Sequence, residues 1–182
     1  MKKVLIVICV LVVIIAAAVL YYMSSNGAFV KISVTEKEMG PFYFVYTPYK
    51  GDYAKVGPVM GSVCNKLARE YNITVERGMG IYYSDPRTTK PSDRICEIGG
   101  LLEKSDESKS DAIMKKMKMR IMYAKKYYTA EFPMKNKMSF MVGAIKVYPK
   151  LSEYMKAKGY KPTPSIEIYE KDKITYAFEI KQ

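Results

Sequence analysis

Four glutamates and two tyrosines fall where β-strand alternation would gather them on one surface: Glu97, Glu131, Glu167, Glu179, Tyr83 and Tyr169, with Ile81 among them. Grouped carboxylates raise one another's pKa, so a protonated one serves as a general acid and an ionised one as a base or counter-ion. Tyrosine rings add faces that attract cations. Together they suit a cationic or polar aromatic small molecule. The plainer reading of the same pattern is an exposed strand face whose glutamates are solvated or paired with lysine. Much other chemistry is excluded. None of the 182 residues is histidine, which removes Ser-His-Asp and Cys-His nucleophiles, imidazole bases and His-ligated metals. Cys9, Cys64 and Cys96 contain no CxxC pair, and Gly78-Met79-Gly80 is too little for a phosphate loop. No metal and no cofactor is expected.

These residues sit in an internal duplication. Residues 57–83 match 143–169 at a constant shift of 86; the shift then becomes 82, aligning Cys96-Glu97-Ile98 with Phe178-Glu179-Ile180. A four-residue loss in the second hairpin accounts for the change. Each copy reads strand, helix, strand, strand: 42–46, 53–70, 80–83 and 95–101, then 127–132, 139–158, 166–169 and 174–180. Val56, Val59, Met60, Val63 and Leu67 mark the buried face of the first helix. Gly159 ends the second, and Pro149 predicts a kink or a late start. Alternation puts Ile174, Tyr176, Phe178 and Ile180 beneath the helices, with Thr175, Ala177 and Glu179 opposite. It likewise turns Ile166 and Ile168 toward the helices and Glu167 and Tyr169 away. The repeat then carries Glu97 onto Glu179, Ile81 and Tyr83 onto Glu167 and Tyr169, and Glu131 onto the position of Val45. The expected fold is α+β: two βαββ repeats in a largely antiparallel sheet, helices on one face and a ligand groove on the other.

Ahead of this domain lies an apolar run. Lys2 and Lys3 precede seventeen apolar residues, 4–20, enough for about 25 Å of helix, and Tyr21 and Tyr22 extend it to an interface. The reading is a single-pass anchor over 1–23, touching the bilayer through 4–23, a linker over 24–29 and a domain over 30–182. Within the domain, repeat one covers about 30–102, a link 103–118 and repeat two about 119–182. A cleaved secretory signal ending near Ala16-Ala17-Ala18 is the alternative. Lys2 and Lys3 against Lys31 place the domain on the extracytoplasmic side. The net charge is +12, with a basic stretch at Lys115, Lys116, Lys118, Arg120, Lys125 and Lys126, either a solvated face or a surface for anionic lipid. No nucleic-acid partner is expected, since no recognition motif accompanies the charge. Cys64 and Cys96 read as core thiols, or as a disulfide if the domain is exported.

Gly80-Ile81-Tyr82-Tyr83-Ser84-Asp85-Pro86, then Asp93-Arg94-Ile95-Cys96-Glu97-Ile98-Gly99, resemble the GyrI-like small-molecule-binding domain. Residues 143–149 and 165–169 resemble its second half. With the anchor, the chain is similar to the membrane-bound subgroup that includes the testis-expressed ER-phagy receptor. The resemblance implies two βαββ modules with a ligand groove between them. It also implies one of the family's activities: effector domains that bind cationic drugs through a groove glutamate, a gyrase inhibitor, or hydrolases of cyclopropane-bearing genotoxins that use Glu and Tyr. By motif, Glu97, Glu167, Tyr83 and Tyr169 carry over. Without an upstream helix-turn-helix a transcription regulator is not expected. The chain has no Trp, so aromatic walls must come from Tyr or Phe. It ends just after the last strand, so no autophagy role is expected. The function expected is a membrane-anchored domain binding a small cationic or amphipathic molecule. The alternatives are an interaction protein docking a partner or anionic lipid, and a hydrolase of an electrophilic molecule. In the last case Glu97 or Glu167 is the acid or base and Tyr83 or Tyr169 the proton donor; otherwise no catalytic residue is assigned.

Overall fold

The computed structural model describes residues 2–181. Met1 and Gln182, the outer limits of the anchor and domain assignments, lie outside the described residues. So do the side chains of Lys2 and Lys3, on which the expectation of membrane side rests.

The chain opens with α1 (Lys2–Ser25), followed by β1 (Thr35–Met39), β2 (Phe42–Lys50), α2 (Val56–Tyr71), β3 (Gly78–Tyr82) and β4 (Ile95–Leu102). The second half comprises the short α3 (Ser110–Met114), β5 (Lys118–Met122), β6 (Lys125–Pro133), α4 (Met138–Lys158), β7 (Ser165–Tyr169) and β8 (Lys173–Glu179). α2 buries Val63 and Leu67 and ends where Asn72 turns left-handed, its N–H reaching the Ala68 and Leu67 carbonyls. α4 passes through Pro149 without ending and stops at left-handed Gly159, so the proline does not delay its start.

Eight antiparallel strands form one sheet in the order β1-β6-β8-β7-β3-β4-β2-β5. The order reads the same from either edge once each strand is exchanged for its copy, so a pseudo-twofold axis passes between β3 and β7. β1 and β5, which the expected elements do not include, are the leading strands of the two copies. Each pairs with the other copy: β1 with β6, β5 with β2. The halves are therefore interlocked rather than merely adjacent.

Strand starts match at shifts of 83 for β1/β5 and β2/β6, 87 for β3/β7 and 78 for β4/β8. The constant shift of 86 is thus one residue out in the central strand. The second hairpin is shorter by nine residues rather than four, with three residues after β7 where twelve follow β3. A one-residue slip turns every side chain to the other face. The counterpart of Tyr169 is Tyr82, not Tyr83, and Glu167 stands where the first copy has Gly80.

Gly40-Pro41 joins β1 to β2 and Tyr123-Ala124 joins β5 to β6, each linking opposite sides of the sheet. The two links touch: a Cβ on Gly40, whose φ is +108°, would lie 3.1 Å from the Ala124 Cα. The sheet is thereby curled, and its concave, helix-free face holds a core of its own built from Phe42, Phe44, Met79, Ile81, Leu101, Tyr127, Ile166, Ile168 and Ala177. On the other face α4 packs on Tyr128, Phe132, Ile174 and Tyr176, and α2 on Val45, Ile73 and Leu102.

Candidate functional site

β7 lies between two cores, and register decides where its side chains go. Ile166 pairs with Ile81 and Ala177, and Ile168 with Met79, so both isoleucines face the concave core. Glu167 and Tyr169 consequently point toward the helices, which corrects the expectation that they lie on the helix-free face. Alternation alone misplaces them because both faces of this strand are covered by protein.

The helix-free face keeps Ile81, Tyr83, Glu97, Glu131 and Glu179, but not as one carboxylate group. Tyr83 Oη donates to Glu97 Oε2 at 2.6 Å; Glu97 is ion-paired with Arg120, whose guanidinium lies 4.6 Å from the Tyr46 ring centre. Glu131 accepts from Lys37 Nζ at 3.0 Å and Lys173 Nζ at 3.2 Å. Partial burial pushes its carboxyl up, but the two lysines outweigh this and hold it below its ordinary value. Glu179 pairs with Lys125 at 2.8 Å. Each of these three carboxylates already holds a cation. Ile81 is buried in the concave core.

On the helix side the polar groups form a chain. Tyr169 Oη donates to Glu167 Oε2 at 2.8 Å, and Tyr148 Oη, from α4, donates to Glu167 Oε1. With the Tyr169 proton committed, the 2.6 Å contact between Tyr82 and Tyr169 has Tyr82 as donor. Tyr148 Oη also lies 3.1 Å from Ser165 Oγ. Glu167 keeps a partly accessible surface yet lies deep among protein atoms. Burial pushes its carboxyl above the ordinary value, and the two phenol hydrogen bonds offset this in part. Burial, then the Glu167 charge, pushes Tyr148, Tyr169 and Tyr82 well up, and the Cys96 thiol up to about 11. Cys64 and Cys96 are free thiols.

Glu167 pairs across the pseudo-axis with Gly80. A Cβ on Gly80 would meet Tyr82 Cε2 at 2.7 Å and Ile98 Cδ1 at 2.8 Å, so the first copy has no room for a second carboxylate there. The duplication provides a symmetric frame and a single central glutamate.

Beside this chain lies a cavity of about 700 Å³. α4 supplies Ala144, Ile145, Tyr148, Pro149, Ser152 and Met155; the segment before β7 adds Pro162, Thr163, Pro164 and Ser165; Tyr128 and Phe178 rise from the sheet. The opposite wall is Tyr82, Tyr83 and residues 84–87 of the long β3–β4 hairpin, which has no counterpart in the second copy. That hairpin is braced. Asp85 holds Arg87 at 2.7 Å, Arg94 donates to the Pro86 and Thr89 carbonyls, and Ser84 Oγ accepts the Ile95 N–H. Tyr148 is thus shared, lining the cavity while bonding to the buried carboxylate. Sequence reasoning missed Tyr82, Tyr148 and Ser165. Tyr82-Tyr83 puts one ring on each face and alternation cannot choose between them, while Tyr148 resembles any half-buried helix tyrosine.

A duplicated, strand-exchanged sheet with an apolar cavity beside one buried carboxylate is the architecture of a small-molecule-binding domain. This chain belongs to the GyrI-like family, whose description is "GyrI-like small molecule binding domain", matched over residues 33–180. It is 26% identical over 137 residues to the testis-expressed protein 264 homolog of Mus musculus, covering 72% of this chain and 42% of that one. It is 23% identical over 155 residues to testis-expressed protein 264 of Homo sapiens, covering 82% and 48%. The chain therefore spans less than half the length of the curated relatives it matches. Among solved structures it shares the fold of the EcmrR C-terminal domain, with TM-score 0.58 and 11% identity over 83% of this chain and 98% of that one.

Proposed function

We propose that this chain is a membrane-anchored GyrI-like domain that binds a small cationic or amphipathic molecule in the helix-side cavity. The observation that carries this reading is Tyr148, one wall of the cavity and a hydrogen-bond donor to buried Glu167. A ligand cation at Tyr148 and Ser165 sits one hydrogen bond from a carboxylate held where solvent screens it poorly. The apolar walls supply affinity, the tyrosines cation–π contact. Of the residues singled out in the sequence, Glu167 and Tyr169 belong to this site; Tyr83 borders the cavity, but its hydroxyl is bonded to Glu97 on the helix-free face. Ile81, Glu97, Glu131 and Glu179 take no direct part, since the three carboxylates hold basic partners and Ile81 is core.

The test is thermal stability of the full chain in detergent against a library of cationic aromatic and lipid-like compounds. A ligand at 100 times its Kd stabilises the native state by about 2.7 kcal/mol. The expected result is a midpoint shift that Glu167→Gln removes. Absence of any hit with the protein well folded moves the reading to docking of a protein partner. A hydrolase is favoured by one observation, the raised carboxyl of Glu167 between two phenols. Turnover that survives Glu97→Gln together with Glu167→Gln sinks that reading.

The anchor reading rests on α1, among the described residues the one helix long and apolar enough to cross a membrane. Its window Ile8–Ser25 has a mean hydropathy of 2.4. A secretory signal has the same features, and the mature N-terminus read by mass spectrometry, with carbonate extraction of membranes, separates the two. Lys2 and Lys3 favour an extracytoplasmic domain. Protease added outside right-side-out sealed membranes should then digest the domain, and outside inverted ones should leave it intact.

A further inference from the structure

The segment expected to be a linker is docked. Asn26 and Gly27 are buried; Asn136 Nδ2 donates to Asn26 Oδ1 at 3.0 Å; and Lys146 Nζ, from α4, donates to the Gly27 and Ala28 carbonyls. A Cβ on Gly27 would lie 2.7 Å from Phe132 Cζ, so the contact is close on the sheet side as well. Two residues separate Ser25, the last of α1, from Ala28, at most about 10 Å of chain. The first half of α4 is therefore held next to the end of the apolar helix.

That half of α4 carries an unpartnered apolar stripe. Met138, Met141 and Ile145, at i, i+3 and i+7, are 37%, 52% and 65% exposed, and Phe29 beside the junction is 61% exposed. Their helical angles put them opposite buried Ser139, Gly143 and Val147. Lys135 and Lys137 are exposed at its start, no Asp or Glu occurs between Glu131 and Glu153, and Lys150 is paired with Glu153 at 2.8 Å. On the adjoining strand and turn, Glu131 and Glu170 are paired with Lys37 and Lys173, and exposed Asp172 is offset by its neighbour Lys171. An apolar stripe flanked by lysines next to the end of a membrane-length helix has the chemistry of an interfacial helix.

We infer that the outer face of α4 rests on an anionic phospholipid surface, with Met138, Met141 and Ile145 entering the headgroup region. The inference rests on the anchor reading of α1. Because Ile145 also lines the cavity, it sets the cavity's lip at the bilayer surface.

The absence of Trp makes the test direct. The full chain carrying Ile145→Trp is reconstituted in phosphatidylcholine vesicles with and without phosphatidylserine, containing lipid brominated high on the acyl chain. Tyr123→Trp, exposed in the β5–β6 link beyond the far end of β6, a strand about 30 Å long, is the reference. Bromolipid is expected to quench the Ile145→Trp emission at least about twofold more than the reference, with an apolar side chain entering ~5–10 Å. The excess should be greater with phosphatidylserine, and Met138→Asp with Met141→Asp should remove it. Equal quenching at the two positions overturns the inference, and equal quenching with and without phosphatidylserine overturns its anionic preference. Alkaline carbonate distinguishes the failures. A chain stripped from the vesicles fails as an anchor and takes the α4 inference with it, whereas one retained but unquenched at position 145 fails on α4 alone.

Discussion

Glu167 owes its properties to its setting, since the other face of β7 carries Ile166 and Ile168 into the concave core. Beneath α4 it has Tyr148 and Tyr169 as donors and a carboxyl raised by burial. The direction of that shift fixes a pH dependence. The unfolded glutamate releases its proton near its ordinary pKa and the folded one at higher pH, so between the two the native state binds more protons. Stability from this group is full below the unfolded pKa and is lost as pH rises through the folded one. The midpoint of thermal unfolding, followed from pH 4 upward, should fall more steeply in the wild type than in Glu167→Gln. Parallel curves would mean that the carboxyl is not raised in the fold. Tyr148→Phe keeps the ring and removes one hydrogen bond to the charge, a loss of about 1.5–3 kcal/mol where the carboxylate is ionised. Its Glu167 should titrate higher still, read as a displaced pH slope.

Glycine decides how closely helix and sheet approach. α4 crosses the sheet with Gly143 over Phe132 and Tyr176; a Cβ there would sit 2.6 Å from Tyr176 Oη and 3.0 Å from Phe132 Cδ1. Both rings are fully buried, so neither has room to yield. Gly143→Ala should cost about 1–3 kcal/mol by overpacking, measured by denaturant unfolding. Gly57, exposed in the first turn of α2, has nothing within 4 Å, and Gly57→Ala should be neutral or stabilising. A comparable loss at both positions would contradict the packing described.

Exchange of the leading strands makes the two halves one cooperative unit. Repeat one without β5 leaves the β2 edge unpaired, and repeat two without β1 leaves β6 unpaired. An uncovered edge of this kind favours aggregation over folding. Residues 30–102 and 103–181, expressed separately, should therefore each lack a cooperative thermal transition, and mixing should restore one. Independent folding of either piece would refute the interlocking. The same exchange closes the curled sheet, because both inter-edge links cross where Gly40 meets Ala124.

Much of this was legible in the residues. The membrane-length helix, the two domain helices and the six inner strands announce themselves by apolar runs and periodicity, and the duplication by the recurring order of strand, helix, strand, strand. β1 and β5 did not, because Thr35–Met39 is a five-residue edge strand with a single apolar residue, and the alternation of Lys118 to Ile121 spans only four residues inside a basic stretch. The sequence by itself determined the α+β class, the repeat and the absence of histidine chemistry, since composition and local periodicity are properties of neighbours along the chain. Only the tertiary structure decided that Glu167 lies beneath α4, that Gly80 faces it across the axis, and that Tyr82 and Tyr148 join its hydrogen-bonded chain. Alternation divides a strand into two faces, but which face meets the helices depends on register with strands far along the chain. In β7, where Ile166 and Ile168 fill one core while Glu167 and Tyr169 enter the other, local pattern carries no sign of the choice.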